Sequence, residues 1–531
     1  MAIGMLEHID FRRALEDLVA ARLGGSRLLL ASNRGPVELL RDAHGRVVAK
    51  RGLGGLVTAV SGAIGRVETT WVAAALTEAD AAAAAELGGT FTVPAAVGAD
   101  RLALSLVAPD RDDYRRYYDD IGNRLLWFLM HGIGHAPEEP DFDSDLWSSW
   151  AAYRRVNRRF ANRLVELAGD CRHGQRPTFL IQDFHLYLVP GMLRRKVPGA
   201  SIGHFTHVPW PGPDAWLALP RPLRREILES LLACDVVGFH TSRYAWNFCH
   251  SCRDFLGADT DPAAGLVRYR GRVVRVRSYP ISVDPDQLAA YADTPEVRRR
   301  LAALSRLAPP DVRVVLQVAR TDPSKNILRS LKAFDEYLQS TPEARGRTVF
   351  WGLLPASRQG ADPYRRYLAR ITEEARRLTA KWGAPGWRPV TLFTDDDYAR
   401  GIAAMMRYDV LLVTSLADGM NLVAKEGPLV NRRHGVLVLS ENVGAAEELG
   451  SGAILVHPYD VLGMAGAISR ALAMPLEERR RMHAVLRIQV RRNPVQRWLY
   501  EQLRDLLASP VSSRVGHGGP LGAHLVGGNH V

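Results

Sequence analysis

The apolar stretch Asp409-Val410-Leu411-Leu412-Val413-Thr414 leads, three residues later, into Asp418-Gly419-Met420-Asn421-Leu422-Val423-Ala424-Lys425-Glu426. A short unbroken run of valine and leucine reads as a strand buried on both faces, the habit of parallel sheets. An acid, a glycine and an amide are then delivered to the carboxyl end of that strand, with a helix opening just beyond. Ligands of open α/β sheets bind at that edge. The backbone amides of Gly419, Met420, Asn421 and Leu422 lack partners at such a helix start and can donate to phosphate oxygens, while Asp418 can bind sugar hydroxyls. The pattern suits a nucleotide-sugar.

The rest of the chain repeats the alternation of strand and helix. Residues 5 to 22 have the spacing of an amphipathic helix, and Arg27 to Ala31 that of a first strand ending in Ser32-Asn33-Arg34. Further strands are predicted at Trp71 to Ala74, Thr178 to Ile181, Ser201 to Phe205 and Val236 to Phe239. A second series follows at Val314 to Val318, Val349 to Gly352, Thr391 to Phe393, Val410 to Leu412 and Val436 to Leu439. Helical stretches between them predict two doubly wound αβα units. The segment Ser278 to Asp286, with Pro280 and Pro285, reads as the crossing between units. With 531 residues the chain exceeds one ordinary core, so two domains are the default.

Several function classes drop out on composition. The longest apolar runs fall far short of a membrane span, and no signal segment opens the chain, so a cytoplasmic protein without a membrane partner is expected. Four cysteines, Cys171, Cys234, Cys249 and Cys252, fit a reducing compartment rather than a disulfide framework. Cys249-His250-Ser251-Cys252 lacks a second closely spaced ligand pair and reads as thiols on a helix rather than half a zinc site. The net charge of +12 raises the question of nucleic acid. Arg298 to Arg300 and Arg479 to Arg481, however, lie beside glutamates in helical segments and read as solvated faces, and no nucleic-acid motif accompanies them. The tail from Ser509, glycine-rich with His517, His524 and His530, is expected to be disordered.

Polar residues gather at the predicted strand ends. Arg34 follows the first strand, and Arg51-Gly52-Leu53-Gly54-Gly55-Leu56, after a hairpin-like insertion, lets a loop approach a ligand closely. Asp183 and His207 end two neighbouring strands. Arg320-Thr321-Asp322-Pro323-Ser324-Lys325-Asn326 presents two cations on one loop, and Arg358 adds a third after another strand. A fixed arginine and lysine can stabilise a departing diphosphate without a metal.

These residues, in both type and spacing, resemble the trehalose-6-phosphate synthases, retaining glycosyltransferases of the GT-B class in family 20, from about residue 26 to about 508. The resemblance implies two Rossmann-like αβα domains facing each other across a cleft. It implies an acceptor-binding domain over residues 1–283, a nucleotide-sugar domain over 284–490, a helix at 491–508 that returns to the first domain, and the tail 509–531. It further implies transfer of glucose from GDP- or UDP-glucose to glucose 6-phosphate with retention, giving trehalose 6-phosphate. Arg34, Tyr118, Trp127 and Arg358 would hold the acceptor, with Tyr118 and Trp127 in the segment Tyr117 to Trp127. Gly55 would approach the donor diphosphate, which Arg320 and Lys325 would neutralise, assisted by the amides of Gly419, Met420, Asn421 and Leu422. Asp418 and His207 would grip the donor glucose, Asp183 would contact the reacting sugars, and Glu426 would bind the ribose. No cofactor or metal is implied, a homo-oligomer is left open, and removal of the product phosphate falls to a separate phosphatase.

The chain departs from that pattern in places. Best-known members read Arg-Leu-Asp-Tyr-Ser-Lys-Gly where this chain has Arg-Thr-Asp-Pro-Ser-Lys-Asn, and Pro211-Gly212-Pro213-Asp214 is unusual after His207. Phe393-Thr394-Asp395-Asp396-Asp397 falls near the expected base site. A carboxylate there would accept guanine NH groups, pointing to GDP-glucose, or would merely cap the next helix. Other readings are a pseudo-glycosyltransferase of the validoxylamine-phosphate type, a glucosylglycerol-phosphate synthase, and a silent sugar-phosphate-binding regulatory subunit.

Overall fold

The computed structural model describes residues 9–23, 27–41, 44–45, 47–51, 55–64, 67–87, 89–93, 102–133, 140–169, 176–358 and 362–508. The tail from Ser509, Gly52 to Gly54, Cys171 and residues 5 to 8 of the first predicted helix lie outside them.

Every apolar run predicted as a strand forms one. Ser201–Phe205 and Val236–Phe239 fall on the predicted residues, the first strand begins one residue late at Leu28, and the other strands extend the predicted cores by a residue or two. They build two sheets. The first has ten strands, with Leu28–Ala31 at its middle between Thr69–Ala74 and Thr178–Gln182, all parallel. Ser201–Phe205, Val236–Phe239 and Arg272–Ser278 continue it in parallel on one side and Leu102–Val107 on the other. Antiparallel strands close both edges. The second sheet has six strands, all parallel, with Arg313–Val318 and Val410–Val413 side by side at its centre. Strands such as Val410–Val413 and Val436–Ser440 are buried along their whole length, which is why they are continuous apolar runs rather than alternating ones.

Each sheet is covered by helices, so the chain is two αβα layers, as the GT-B reading implies. Strand Arg272–Ser278 ends where the predicted crossing begins, and the next helix, Pro285–Ala292, is capped by Asp284. Asp284 is also a junction: its Oδ2 accepts from Arg12 at 2.9 Å and from Gln496 at 2.7 Å. Gln496 belongs to Val495–Leu506, a helix that follows the second sheet yet packs against the helices Phe11–Leu23 and Gly55–Ile64 and against two strands of the first sheet. Its Trp498, almost wholly buried, meets Phe205 edge-on at 5.2 Å and lies 5.9 Å from His207. The chain's last described helix therefore buttresses a strand end of the first sheet.

One local expectation changes. Arg479 is buried rather than solvated. It donates to the carbonyls of Arg433 and His434 and, with Arg313, Arg407 and Arg433, surrounds the buried carboxylate of Asp409. Arg300 pairs with Asp397 at 2.8 Å. Part of the positive charge thus serves internal pairing. Cys249 and Cys252 lie buried on the helix Ser242–Leu256, where burial pushes both thiols above their usual range. No described helix is long and apolar enough to cross a membrane.

Replacing Trp498 with alanine should leave a cavity beneath His207 and cost about 3–5 kcal/mol. Thermal unfolding of Trp498→Ala should show a melting temperature several degrees below that of the parent protein; an unchanged one would contradict this buttressing role.

Candidate active site

The loop after strand Arg313–Val318 turns on a buried carboxylate. Asp322 is fully buried, and its Oδ2 lies 2.8 Å from Nη2 of Arg320 and 3.6 Å from Nη1 of Arg358. Burial alone would raise its pKa, yet Arg320, Arg358 and Lys325 together hold it well below the usual carboxylate range. Two of the three predicted cations therefore share one anion, which fixes them side by side although they come from loops after different strands.

The loop closes at Asn326, with φ of 59° in the left-handed region that favours glycine. Its side-chain amide donates to the carbonyls of Thr414 at 3.0 Å and Pro458 at 2.6 Å. Asparagine here makes the turn and adds two anchors to neighbouring loops, which hold the segment that carries Lys325. Lys325 donates to Oδ2 of Asp418 at 2.5 Å, and that oxygen also accepts from Asn421 at 2.9 Å and Ser415 at 3.3 Å. Burial would raise the Asp418 carboxyl, but Lys325 outweighs it and the net shift is downward.

Gly419 to Leu422 then lead into the helix Val423–Val430. Among the described residues, no backbone amide from Gly419 to Leu422 donates a hydrogen bond within the fold. These amides are free for an anion. Met420 is buried, and Asn421 again has a left-handed backbone, with φ of 68°. Gly419 packs so tightly that a Cβ there would sit 2.2 Å from the carbonyl oxygen of His207, so only glycine fits. Tyr244, from the first domain, donates to the Asp418 carbonyl at 3.0 Å. This loop is thus in contact with the opposite domain. Glu426, one turn on, has no charge partner among the described residues, and burial lifts its carboxyl to about 7.

On the first domain, Asp183 ends strand Thr178–Gln182 with φ of 73°, a conformation that a non-glycine residue adopts only when its surroundings enforce it. Its Oδ1 accepts from the amide of His207 at 3.1 Å, and its own amide donates to Phe205 at 2.7 Å. Burial raises the Asp183 carboxyl to about 6, opposed by hydrogen bonds from the His207 and Phe184 amides and by Arg358 and Arg320. His207 Nε2 lies 2.7 Å from Gln182 Oε1, and burial, with His240 and His204 nearby, keeps its ring neutral.

Two of the predicted acceptor residues, Tyr118 and Trp127, come from a helical stretch whose winding the sequence did not specify. Arg116–Leu126 is wound as a π-helix, and the amide of Trp127 still donates five residues back, to Gly122. Such winding recurs at functional sites because it shifts side chains off the α register. The stretch is anchored to the first strand's end: Asn33 Oδ1 accepts from Tyr117 at 3.0 Å, and Asn33 Nδ2 donates to Tyr114 at 3.2 Å. Tyr118 is held between the rings of Tyr114 and His185, each stacked at 5.6 Å, and its hydroxyl accepts from Arg34 at 3.4 Å. Burial works to raise the Tyr118 hydroxyl, but Arg34, Arg358 and Arg320 outweigh it and bring it below its usual value. Arg358, from the second domain, lies over the Trp127 ring at 3.9 Å, with Arg320 at 5.9 Å from the same ring.

The structure thus gathers Arg34, Tyr118, Trp127, Arg358 and Arg320 into one cationic, aromatic-walled cluster between the domains, links Lys325 to Asp418, and sets Asp183 and His207 together. Gly55 begins the helix Gly55–Ile64, and the glycines before it lie outside the described residues. Sequence reasoning missed Asp322, Gln182 and Tyr114. Asp322 sits inside the loop that carries both cations, and Tyr114 is four residues before Tyr118, one helical turn on the same face. Those spacings were the available signals. Of the acidic triplet, Asp397 accepts from the amide of Arg400 as a helix cap, and Asp395 pairs with the Arg400 side chain at 2.5 Å. Asp396 is exposed.

Comparison with known proteins gives the same picture over nearly the whole chain. The model of glycosyltransferase family 20 matches residues 26–508. The chain is 35% identical over 500 residues to a trehalose-6-phosphate synthase of Mycobacterium avium, covering 92% of this chain and 97% of that protein. It is 31% identical to the UDP-forming α,α-trehalose-phosphate synthase A of Dictyostelium discoideum, covering 89% of this chain but spanning only 61% of that relative's length. Among solved structures, a UDP-forming α,α-trehalose-phosphate synthase of Burkholderia xenovorans in complex with glucose 6-phosphate superposes with a TM-score of 0.79. It is 29% identical, and the match covers 91% of this chain and all of that one. An E. coli structure bound with UDP-2-fluoro glucose is 28% identical, with a TM-score of 0.76 over 92% of this chain and all of that one. The cleft geometry and these matches together place the chain in glycosyltransferase family 20, as a trehalose-6-phosphate synthase family member and a glycosyltransferase.

Proposed function

We propose that the protein transfers glucose from a nucleotide-glucose to glucose 6-phosphate with retention, giving trehalose 6-phosphate and a nucleoside diphosphate. One observation carries the reading. Arg320 and Arg358 share the buried carboxylate of Asp322 and both face the Trp127 ring of the opposite domain. A cation for the leaving diphosphate and a cation for the acceptor phosphate are thereby held at one fixed separation. Relatives bound to glucose 6-phosphate and to a UDP-glucose analogue support this assignment.

In this reading Arg34, Tyr118 and Arg358 receive the acceptor's phosphate, against the wall of Trp127. Arg320, Lys325 and the free amides of Gly419 to Leu422 receive the donor diphosphate. Asp418 and His207 hold the donor glucose, Gly55 approaches the diphosphate, and Glu426 takes ribose hydroxyls. As the C1–oxygen bond to the diphosphate breaks, negative charge grows on the departing oxygen, where the fixed cations stabilise it. The acceptor's anomeric hydroxyl bonds to C1 on the same face, and its proton passes to the departing phosphate oxygen. Asp183 lies beside the reacting sugars rather than acting as one of two carboxylates about 5–5.5 Å apart, the arrangement that a covalent glycosyl intermediate uses. UDP-glucose is the preferred donor in this account. Four curated relatives are UDP-forming, and Asp395 and Asp397 of the triplet that would read guanine are occupied by Arg400 and Arg300.

Incubating the protein with glucose 6-phosphate and UDP-, GDP- or ADP-glucose should yield trehalose 6-phosphate, fastest with UDP-glucose. No phosphorylated disaccharide with any donor would refute the reading, and a preference for GDP-glucose would refute the donor assignment. Lys325→Ala should lower kcat by about 100-fold or more with a smaller effect on the KM for glucose 6-phosphate; a change confined to that KM would contradict its role at the diphosphate.

The raised pKa of Glu426 carries a separate prediction. Its folded value, about 7, lies above the ordinary glutamate value of 4.5. The folded protein holds this proton more tightly than the unfolded chain, so the stability it contributes is present at low pH and is lost as pH rises from about 4.5 through 7. Glu426→Gln should therefore raise the melting temperature of the ligand-free protein more at pH 8 than at pH 5, while weakening nucleotide binding. A larger gain at pH 5 would contradict the assignment.

A further inference from the structure

Tyr364 is fully buried on the first turn of the helix Asp362–Trp382, and no sequence pattern singles it out. Its hydroxyl accepts from Nη1 of Arg358 at 3.1 Å and donates to the backbone carbonyl of Asn123 at 3.3 Å. Those two partners lie on opposite domains. Arg358 belongs to the second domain, and Asn123 belongs to the π-helix that carries Tyr118 and runs into Trp127. The next residue after Trp127, Phe128, meets the Tyr364 ring edge-on at 6.1 Å and 84°. The phenol is thus inserted into the first domain at the foot of the acceptor pocket.

Arg358 needs such support. Its backbone has φ of 48°, a strained value for a residue with a side chain, and its guanidinium is nearly wholly buried. Asp322 neutralises it at 3.6 Å, a distance that fixes charge more than direction. The directional bond is the one to Tyr364, while Nε of Arg358 is buried and, among the described residues, has no hydrogen-bond partner. Burial raises the Tyr364 hydroxyl to about 12, so it stays protonated and can keep donating to Asn123 while it accepts from Arg358.

We propose that Tyr364 is a positioning residue for the acceptor: its hydroxyl aims Arg358 at the acceptor phosphate and ties that aim to contact between the two domains through the Asn123 carbonyl. When the domains part, the Asn123 bond is lost and the Tyr364 hydroxyl is no longer held in place for Arg358. When they meet, the acceptor pocket and the donor loop are completed together. The inference rests on the acceptor role given to Arg358 above.

Tyr364→Phe tests it by removing one oxygen while keeping the ring on Phe128. The KM for glucose 6-phosphate should rise about ten-fold, the loss expected for one hydrogen bond to a charged group. The KM for the nucleotide-glucose should stay within about two-fold and the melting temperature within about 2 °C, as for a change that leaves packing intact. In an Arg358→Ala background the same substitution should add nothing, because the two residues act as one unit. An unchanged KM for glucose 6-phosphate overturns the inference. So does an equal rise in both KM values, or a fall in melting temperature with loss of both substrates, either of which assigns Tyr364 a merely structural role. Arg358→Ala alone separates the two levels: no effect on the KM for glucose 6-phosphate removes the acceptor role of Arg358, whereas an effect there without one in Tyr364→Phe removes only the role of Tyr364.

Discussion

The cleft depends on one buried carboxylate. Asp322 has no solvent exposure, and its charge is retained only because Arg320 and Arg358 converge on it, with Lys325 close by. Removing Asp322 would leave the buried Arg358 guanidinium without its counter-charge, which costs far more than a surface ion pair is worth. The arrangement is therefore held at a fixed geometry, which in the proposed reading sets the distance between the diphosphate and acceptor sides of the site. Trp127 supplies the second constraint. Its ring faces both guanidiniums from the opposite domain.

The same economy of means appears at the loop ends. Three positions that favour glycine on conformational grounds carry side chains instead: Asp183, Asn326 and Asn421 all have positive φ. Each uses its side chain locally. Asp183 accepts from the His207 amide, Asn326 ties its loop to Thr414 and Pro458, and Asn421 donates to Asp418. Strain at these positions is thus offset by hydrogen bonds that also orient the predicted ligands of the donor sugar.

Much of this was legible in the sequence because it lies on the strands. Buried parallel strands must be apolar throughout, so their ends, and the polar residues just past them, could be read directly: Asp183, His207, Arg320 and Asp418 were found that way. What could not be read was how an element is wound and what it meets. The segment Arg116–Leu126 buries Tyr117, Ile121, Leu125 and Leu126 along one face, but that stripe does not announce the π winding, so the placement of Tyr118 against Tyr114 and His185 follows only from the folded chain. Asp322 reads in sequence as an ordinary Asp-Pro turn, and its role depends on Arg358, brought in from a loop 36 residues away. Arg479 looked like one of a solvated triplet because periodicity cannot show that a buried carboxylate, Asp409, waits beneath the helix.

The most direct test of this account is the steady-state kinetics of Asp322→Asn with both substrates varied. The substitution keeps the shape of the side chain and removes its charge. If Asp322 fixes the two guanidiniums, kcat should fall and the KM for glucose 6-phosphate should rise together, with kcat/KM for the acceptor down by about 100-fold or more, the scale of breaking a buried ion pair. A variant that folds and turns over with parental constants for both substrates would contradict the central place given to this carboxylate.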